Sequence, residues 1–112
     1  NDPALSRGSN EAYARIIQDH PTRFGGFATV PISNVDATLK EIEYALDVLK
    51  LDGICLTSNA DGVYMGDPKF AEMWRELDRR SAVVFVHPAL PAHVEVTAMG
   101  YQRAILEFMF SL

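Results

Sequence analysis

The sequence predicts an α/β protein whose parallel strands are joined by helical crossovers. Three apolar or β-branched runs alternate with three stretches in which apolar residues recur at helical spacing. Two of these runs, Gly53–Thr57 and residues 82–86, show no polar alternation, which is typical of strands buried on both faces of a parallel sheet. Such strands fit either an open sheet or a section of a (β/α)₈ TIM barrel. A whole barrel needs roughly 250 residues, whereas this chain has 112.

The first helix is predicted over residues 11–19, with apolar side chains along one face. Ser9 or Asn10 precedes it as a capping residue. His20 ends it, because the residue before a proline disfavours the α region. Residues 24–31 follow as the first strand, since they are rich in aromatic and β-branched side chains and end in proline.

The second helix is predicted from Val35 to about Lys50. Residues 33–36 resemble a capping box with Asp in place of Glu, and leucines and an isoleucine recur behind them at helical spacing. Gly53–Thr57 is the second predicted strand, and residues 59–62 are predicted to form a loop.

The third helix is predicted to begin at Asp67, because Pro68 suits the first helical turn. Its buried face carries aromatic and aliphatic residues at helical spacing, and Arg79 and Arg80 favour its C-terminal end. Residues 82–86 form the third predicted strand.

The composition narrows the function classes. Ten Lys and Arg against fifteen Asp and Glu give a net charge of −5 without any basic run, so nucleic-acid binding is not expected. No apolar stretch approaches the roughly 18 residues that a membrane helix needs. A single cysteine, Cys55, excludes an internal disulfide and fits a reducing compartment. We therefore expect a cytoplasmic protein.

Both ends of the sequence suggest a piece of a larger protein. The chain does not begin with Met, and its last residues, 104–112, are apolar and lack the Gly, Asn or Pro that usually ends a helix. A small oligomer that buries this segment between subunits is the alternative. As an isolated chain, a barrel section would expose open strand edges, so we expect self-association or poor folding.

Candidate functional residues follow the predicted strands, because ligand sites of parallel α/β folds lie at the carboxyl ends of their strands. Asn59 and Asp61 are candidates for contact with a polar substrate, although such loops also form plain turns. His87 directly follows the third strand, where its imidazole fits either a metal ligand or a loop histidine that bonds a neighbour. One histidine is not a metal site, so both alternatives stay open on the residues alone.

Three other reactive side chains are predicted to be structural. His20 closes a helix, and His93 lies in a proline-rich surface loop. Cys55 stands between Ile54 and Leu56, so we expect a packed thiol rather than a nucleophile, and we do not expect it to line a cleft.

Four segments in order resemble the amidohydrolase-related decarboxylase family, to which aminocarboxymuconate-semialdehyde decarboxylase and γ-resorcylate decarboxylase belong. Residues 20–31 resemble its HPxRFxGxxxxP stretch. Residues 62–70, with Trp74 after them, resemble the segment that follows its fourth barrel strand. Residues 83–88 resemble its fifth strand, and residues 107–110 its EFxF sequence.

The resemblance implies a (β/α)₈ barrel with one catalytic divalent metal, for which zinc is the expected ion. His87 matches the fifth-strand histidine that is a metal ligand in this family. The family's other ligands, an HxH or ExH on the first strand, a His on the sixth and an Asp on the eighth, have no counterpart here. Residues 1–112 are thus predicted to be one partial domain, from the second helix through the fifth strand and the start of the following segment, with an incomplete metal site.

The implied activity is that of a decarboxylase, a carbon–carbon lyase, acting on a small unsaturated or aromatic carboxylate, in a protein expected to form homo-oligomers. The isolated chain is expected to be inactive, and its acid–base residues are not assigned. A metal-dependent hydrolase of the same superfamily, acting on an amide, lactone or ester, is the first alternative. A small noncatalytic α/β protein that oligomerises through its apolar C-terminal run is the second.

Overall fold

The computed structural model describes residues 2–89. Its elements, in chain order, are α1 (Pro3–Asp19), β1 (Phe27–Thr29), α2 (Val35–Glu43), β2 (Gly53–Thr57), β3 (Asn59–Ala60), β4 (Val63–Tyr64), α3 (Ala71–Arg79) and β5 (Val84–His87). A π-helical segment, Tyr44–Val48, continues α2, and a 3₁₀ turn, Pro68–Phe70, precedes α3. The predictions for His93 and for the apolar run 104–112 lie outside the described residues. Across residues 2–89, no helix is both long and apolar enough to cross a membrane.

The strands β1, β2 and β5 form a parallel sheet with β2 in the centre. Ala28 pairs with Ile54 between β1 and β2, and Thr57 pairs with His87 between β2 and β5. The helix α2 connects β1 to β2, and α3 connects β2 to β5. Parallel neighbours require such crossovers, so the predicted α/β class is confirmed, and the carboxyl ends of the three strands lie at one edge of the sheet.

The crossover helices α2 and α3 pack on one face of this sheet. Alternate strand residues, Ala28, Ile54 and Leu56, are fully or almost fully buried in one cluster with side chains of the helices and the 3₁₀ turn. The helical members of that cluster are Ile42, Ala45, Phe70, Met73 and Leu77. Burial of this shared apolar surface holds the crossovers against the sheet.

The apolar run of β5 predicted a strand that is buried on both faces, and this prediction is wrong for the described residues. Val83 and Phe85 are 58% and 51% exposed, whereas Val84 and Val86 alternate with them and are half-buried. Because α2 and α3 pack on the other face, the side of β5 on which Phe85 stands is left largely exposed within residues 2–89. An apolar run therefore predicted the strand correctly but not its surroundings in this chain.

The helix α1 begins at Pro3, well before the predicted start. Asp2 caps it by accepting a hydrogen bond from the Ala4 N–H at 2.9 Å, and proline occupies the first turn, where its missing N–H costs nothing. Asn10 is therefore not a cap but a fully buried residue within the helix. The predicted end of α1 is confirmed, because the helix ends at Asp19 and His20 follows it.

The helix α2 begins at Val35 as predicted, but its cap is Asn34 rather than Ser33. The Asn34 side chain accepts a hydrogen bond from the Ala37 N–H at 3.0 Å. Beyond Glu43 the helix widens, and the Leu49 N–H donates to the Tyr44 carbonyl at 3.0 Å, five residues back.

A β-hairpin, β3 and β4, occupies the segment predicted to be a loop after β2. Its two turn residues, Asp61 and Gly62, have φ angles of 52° and 82°. A two-residue turn with both φ angles positive is the preferred connection of such hairpins, and Asp-Gly is among its strongest sequence signals. The Asn59 Oδ1 accepts a hydrogen bond from the Gly62 N–H at 3.2 Å, which braces the turn.

Candidate metal and substrate site

The segments that follow β1, β2 and β5 meet at the carboxyl edge of the sheet. The Ser33 hydroxyl, after β1, donates to Asp61 Oδ2 in the hairpin turn at 2.8 Å. The Asn59 Nδ2, in the same hairpin, donates to the Ala89 carbonyl after β5 at 2.8 Å. These two bonds place the three predicted functional segments side by side.

His87 is the last residue of β5, and its exposed side chain alternates with that of Val86, which is half-buried. The imidazole meets the Phe85 ring edge-on, with ring centroids 6.3 Å apart. Its Nδ1 lies 2.7 Å from the Pro88 carbonyl oxygen. A carbonyl only accepts, so Nδ1 carries the proton, and in the neutral ring the lone pair is on Nε2. This is the state in which histidine binds a metal through Nε2 while a backbone carbonyl orients the ring.

Within residues 2–89, no group of three or more His, Cys, Asp or Glu side chains is placed to hold a metal ion. A catalytic zinc takes about three protein ligands. A metal site that includes His87 would therefore need further ligands from beyond the described residues.

Asn59 and Asp61 differ in what they offer a substrate. Asp61 is exposed at the hairpin turn, where its carboxylate accepts the Ser33 hydroxyl. Asn59 is buried, and its amide is engaged at both ends by the Gly62 N–H and the Ala89 carbonyl. Direct substrate contact by either residue stays a prediction, and the geometry favours Asp61.

His20 follows the end of α1 and precedes β1, so it lies toward the amino ends of the strands and not at their carboxyl ends. Its backbone N–H donates to the Ile16 carbonyl at 3.0 Å, and its ring meets Phe24 edge-on at 5.9 Å between centroids. This arrangement agrees with the predicted structural role of closing the helix.

Cys55 is only half-buried, and the prediction that it would not line a cleft is wrong. Its side chain alternates with those of Ile54 and Leu56, so it stands on the face opposite α2 and α3. There it lines an open, mainly apolar cavity of about 590 Å³ with residues of α1 and β1. Partial burial raises the pKa of the Cys55 thiol, which favours the uncharged form and agrees with the expectation that it is not a nucleophile.

Sequence reasoning missed Ser58, the residue that links β2 to the hairpin. It is buried, its N–H donates to the His87 carbonyl at 2.9 Å, and its hydroxyl accepts from the Ala89 N–H at 3.0 Å. The one usable sequence signal was the Asp-Gly turn downstream, which predicts a hairpin and hence a close return of the chain.

The amidohydrolase family model matches residues 2–108. The chain belongs to the amidohydrolase family. It is 42% identical over 116 aligned positions to a 6-methylsalicylic acid decarboxylase of Aspergillus aculeatus, covering 97% of this chain and 34% of that protein. This amidohydrolase chain thus spans about a third of the length of the curated relative it matches.

Solved structures confirm the fold class as a section of an amidohydrolase barrel. A crystal structure of an amidohydrolase II superposes with a TM-score of 0.88 at 27% identity, covering 97% of this chain and 36% of that one. A 5-carboxyvanillate decarboxylase of Novosphingobium aromaticivorans, complexed with manganese and 4-hydroxy-3-methoxy-5-nitrobenzoic acid, gives a TM-score of 0.75 at 27% identity, covering 79% of this chain and 25% of that one. The family resemblance is therefore confirmed, and the barrel section is favoured over an open sheet.

Proposed function

We propose that this chain is part of a metal-dependent decarboxylase of aromatic carboxylates, spanning the second helix through the fifth strand of its barrel and the start of the following segment. The observation that carries the proposal is the position of His87, at the carboxyl end of β5 with Nδ1 bound to a backbone carbonyl. The similarity to a 6-methylsalicylic acid decarboxylase supports this reaction over the hydrolysis of an amide, lactone or ester.

His87 is proposed to supply one ligand to a divalent metal through Nε2. Zinc is the ion expected from the family resemblance. Manganese is the second candidate, because the 5-carboxyvanillate decarboxylase complex contains manganese. When bound, the metal would hold substrate oxygens and stabilise the negative charge that decarboxylation leaves on the substrate. The remaining ligands and the acid that protonates the substrate carbon are proposed to lie outside the described residues.

The proposed substrate class is a hydroxylated benzoate. Asp61 is exposed beside this edge, and a carboxylate accepts hydrogen bonds but repels another carboxylate. It therefore suits a phenolic hydroxyl of the substrate, with the reacting carboxylate turned away. The Ser33 hydroxyl, which donates to Asp61, would hold that side chain in place.

The test uses the full-length protein that carries this chain, purified with zinc or manganese and incubated with 6-methylsalicylate. Loss of carbon dioxide would yield 3-methylphenol, which chromatography detects, alongside the released gas. A protein that instead hydrolyses ester, lactone or amide substrates and releases no carbon dioxide would contradict the proposal and establish the hydrolase alternative.

His87→Ala should lower metal content and turnover together. A loss of about 100-fold or more in turnover is expected, because even residues behind the ligands contribute 10–100-fold. His20→Ala is the matched control, since His20 closes α1, so its metal content per folded molecule should stay normal. Full metal by elemental analysis in the His87→Ala variant, with near-normal turnover, would show that His87 is a loop histidine.

We also propose a cytoplasmic, homo-oligomeric protein. The single cysteine, which fits a reducing compartment, supports the first part. Cell fractionation and light scattering on the full-length protein test the two statements separately.

A further inference from the structure

We propose that Ser58 and Asn59 are positioning residues that set the direction of the His87 imidazole. Both side chains hold Ala89, the second residue after His87, by its backbone. The effect of these residues on metal binding rests on the proposed function. The orientation of the ring can be measured without any metal.

The ladder between β2 and β5 ends at His87. The last backbone bond there is donated by the Ser58 N–H to the His87 carbonyl at 2.9 Å. Pro88 has no N–H with which to continue a ladder. Without another restraint, the strand would be free to fray at the residue that carries the imidazole.

Side chains replace the ladder one residue later. The Ala89 N–H donates to the Ser58 hydroxyl oxygen at 3.0 Å, and the Asn59 Nδ2 donates to the Ala89 carbonyl at 2.8 Å. Ser58 and Asn59 are only 3% and 6% exposed, so water competes little for these bonds. The two side chains thus hold both polar groups of Ala89.

The Ser58 bond reaches the imidazole through a single rigid group. The Ala89 N–H and the Pro88 carbonyl belong to one planar peptide unit and point in opposite directions. The Ser58 hydroxyl therefore fixes the plane whose carbonyl, at the other end, accepts the proton of His87 Nδ1 at 2.7 Å. A hydrogen bond at the N–H also polarises the carbonyl, which makes it a stronger acceptor.

The hairpin gives the clamp a firm base. The Met65 N–H donates to the Ser58 carbonyl at 3.2 Å, and the Gly62 N–H donates to Asn59 Oδ1 at 3.2 Å. The Thr57 hydroxyl donates to the Asn59 carbonyl at 2.7 Å. With its oxygen engaged inside the hairpin, the Asn59 amide has its Nδ2 aimed at Ala89, so the two positions of the clamp are set by the turn.

The first measurement is the tautomer of His87 in the metal-free, full-length protein. Nitrogen NMR of ¹⁵N-histidine-labelled protein reports which ring nitrogen is protonated, and a His87→Gln variant assigns the signal. The contact between Nδ1 and the Pro88 carbonyl oxygen, which can only accept, implies that the proton is on Nδ1. Ser58→Ala should give a mixture of tautomers, whereas Ser58→Thr, which keeps the hydroxyl, should retain the Nδ1–H form.

The second measurement is the dissociation constant for Mn²⁺, by titration calorimetry. Ser58→Ala should raise it by about 10-fold, the low end of the effects that residues behind metal ligands have, and Ser58→Thr should stay within about twofold. Asn59→Asp, which replaces the donor to the Ala89 carbonyl with an acceptor, should weaken binding at least as much. Thr38→Val is the matched control, because it also removes a buried hydroxyl bonded to backbone carbonyls, Pro31 and Asn34, but away from His87.

Unchanged tautomer and Mn²⁺ affinity in Ser58→Ala would overturn the inference, as would an equal loss of affinity in Thr38→Val. The proposed function fails differently. If His87→Ala binds Mn²⁺ as tightly as the unaltered protein, His87 is not a ligand, and the tautomer measurement still decides whether Ser58 positions the ring.

Discussion

Removing the Asn10 side chain should destabilise the protein strongly, because this one amide connects three elements. Asn10 is fully buried in α1. Its Nδ2 donates to the Thr29 carbonyl of β1 and to Glu41 Oε1 of α2, and its Oδ1 accepts from the Thr29 N–H, all at 2.8 Å. It therefore satisfies the edge of β1 as a neighbouring strand would.

The expected cost follows from the groups that Asn10→Ala leaves behind. The Thr29 N–H and carbonyl lose their partner, and the Glu41 carboxylate keeps Arg7, whose Nε lies 2.9 Å from Oε2. Each buried group without a partner costs about 1–3 kcal/mol, and water entering the vacated space would offset part of it. We expect a loss of about 3 kcal/mol in the free energy of unfolding, measured by urea denaturation of the full-length protein.

Asn10→Asp separates this interpretation from simple loss of packing, because it keeps the volume of the side chain. It places a second carboxylate beside Glu41, which is almost completely buried. At about pH 7 it should be at least as destabilising as Asn10→Ala, and lowering the pH to about 5 should relieve it as one carboxyl takes up a proton. A loss below about 1 kcal/mol for Asn10→Ala, or no pH dependence for Asn10→Asp, would refute the reasoning.

Two further substitutions test the packing and the charges. Gly53→Ala would place a methyl group 2.5 Å from the Val83 carbonyl oxygen, so it should lower the free energy of unfolding by about 1–3 kcal/mol. Gly8→Ala lies in open space on α1, so it should raise the free energy of unfolding by about 0.5–1 kcal/mol. Thermal melts of the two variants compare these effects. Hydrogen bonds from the two arginines that end α3 lower the pKa of Glu76 from 4.5 to about 2. The contribution of Glu76 to the free energy of unfolding should therefore be complete above about pH 4.5 and should disappear as the pH falls through about 2. If the free energies of unfolding of the unaltered protein and Glu76→Gln differ by the same amount at every pH, this prediction is wrong.

The fold was predictable where its signals are local. The bounds of β2, Gly53–Thr57, agree with the apolar run, and the start before α3 agrees with Asp67, whose side chain accepts from the Lys69 N–H at 2.9 Å. The cap of α1 at Asp2 is also local, since an Asp-Pro pair there has the same form as the one at Asp67. The role of Asn10 was not predictable, because a helix propensity does not show that Thr29 and Glu41 stand around it.

The candidate site was predictable only as a set of strand ends. The position of His87 after an apolar strand indicated the carboxyl edge of the sheet, and the family resemblance supplied its proposed role as a metal ligand. Ser58 carries no motif, and the Asn59 amide looks like that of any turn residue. Their relation to Ala89 arises from the pairing of β2 with β5, which joins residues about thirty positions apart.

The pairing register of β2 and β5 is what makes His87 available at this edge. Thr57 stands opposite His87, and the Ile54 N–H and Ser58 N–H donate to the Val83 and His87 carbonyls at 2.9 Å. A slip of one residue would turn every side chain of β5 to the other face, moving the imidazole toward the helices and Phe85 into their packing. The alternation of half-buried and exposed residues along β5 opposes that slip, since it would exchange Val86 with the polar ring. The apolar pattern of β5 and the chemistry proposed for His87 therefore depend on the same register, which the bonds from Ser58 and Asn59 to Ala89 extend past the last residue of the strand.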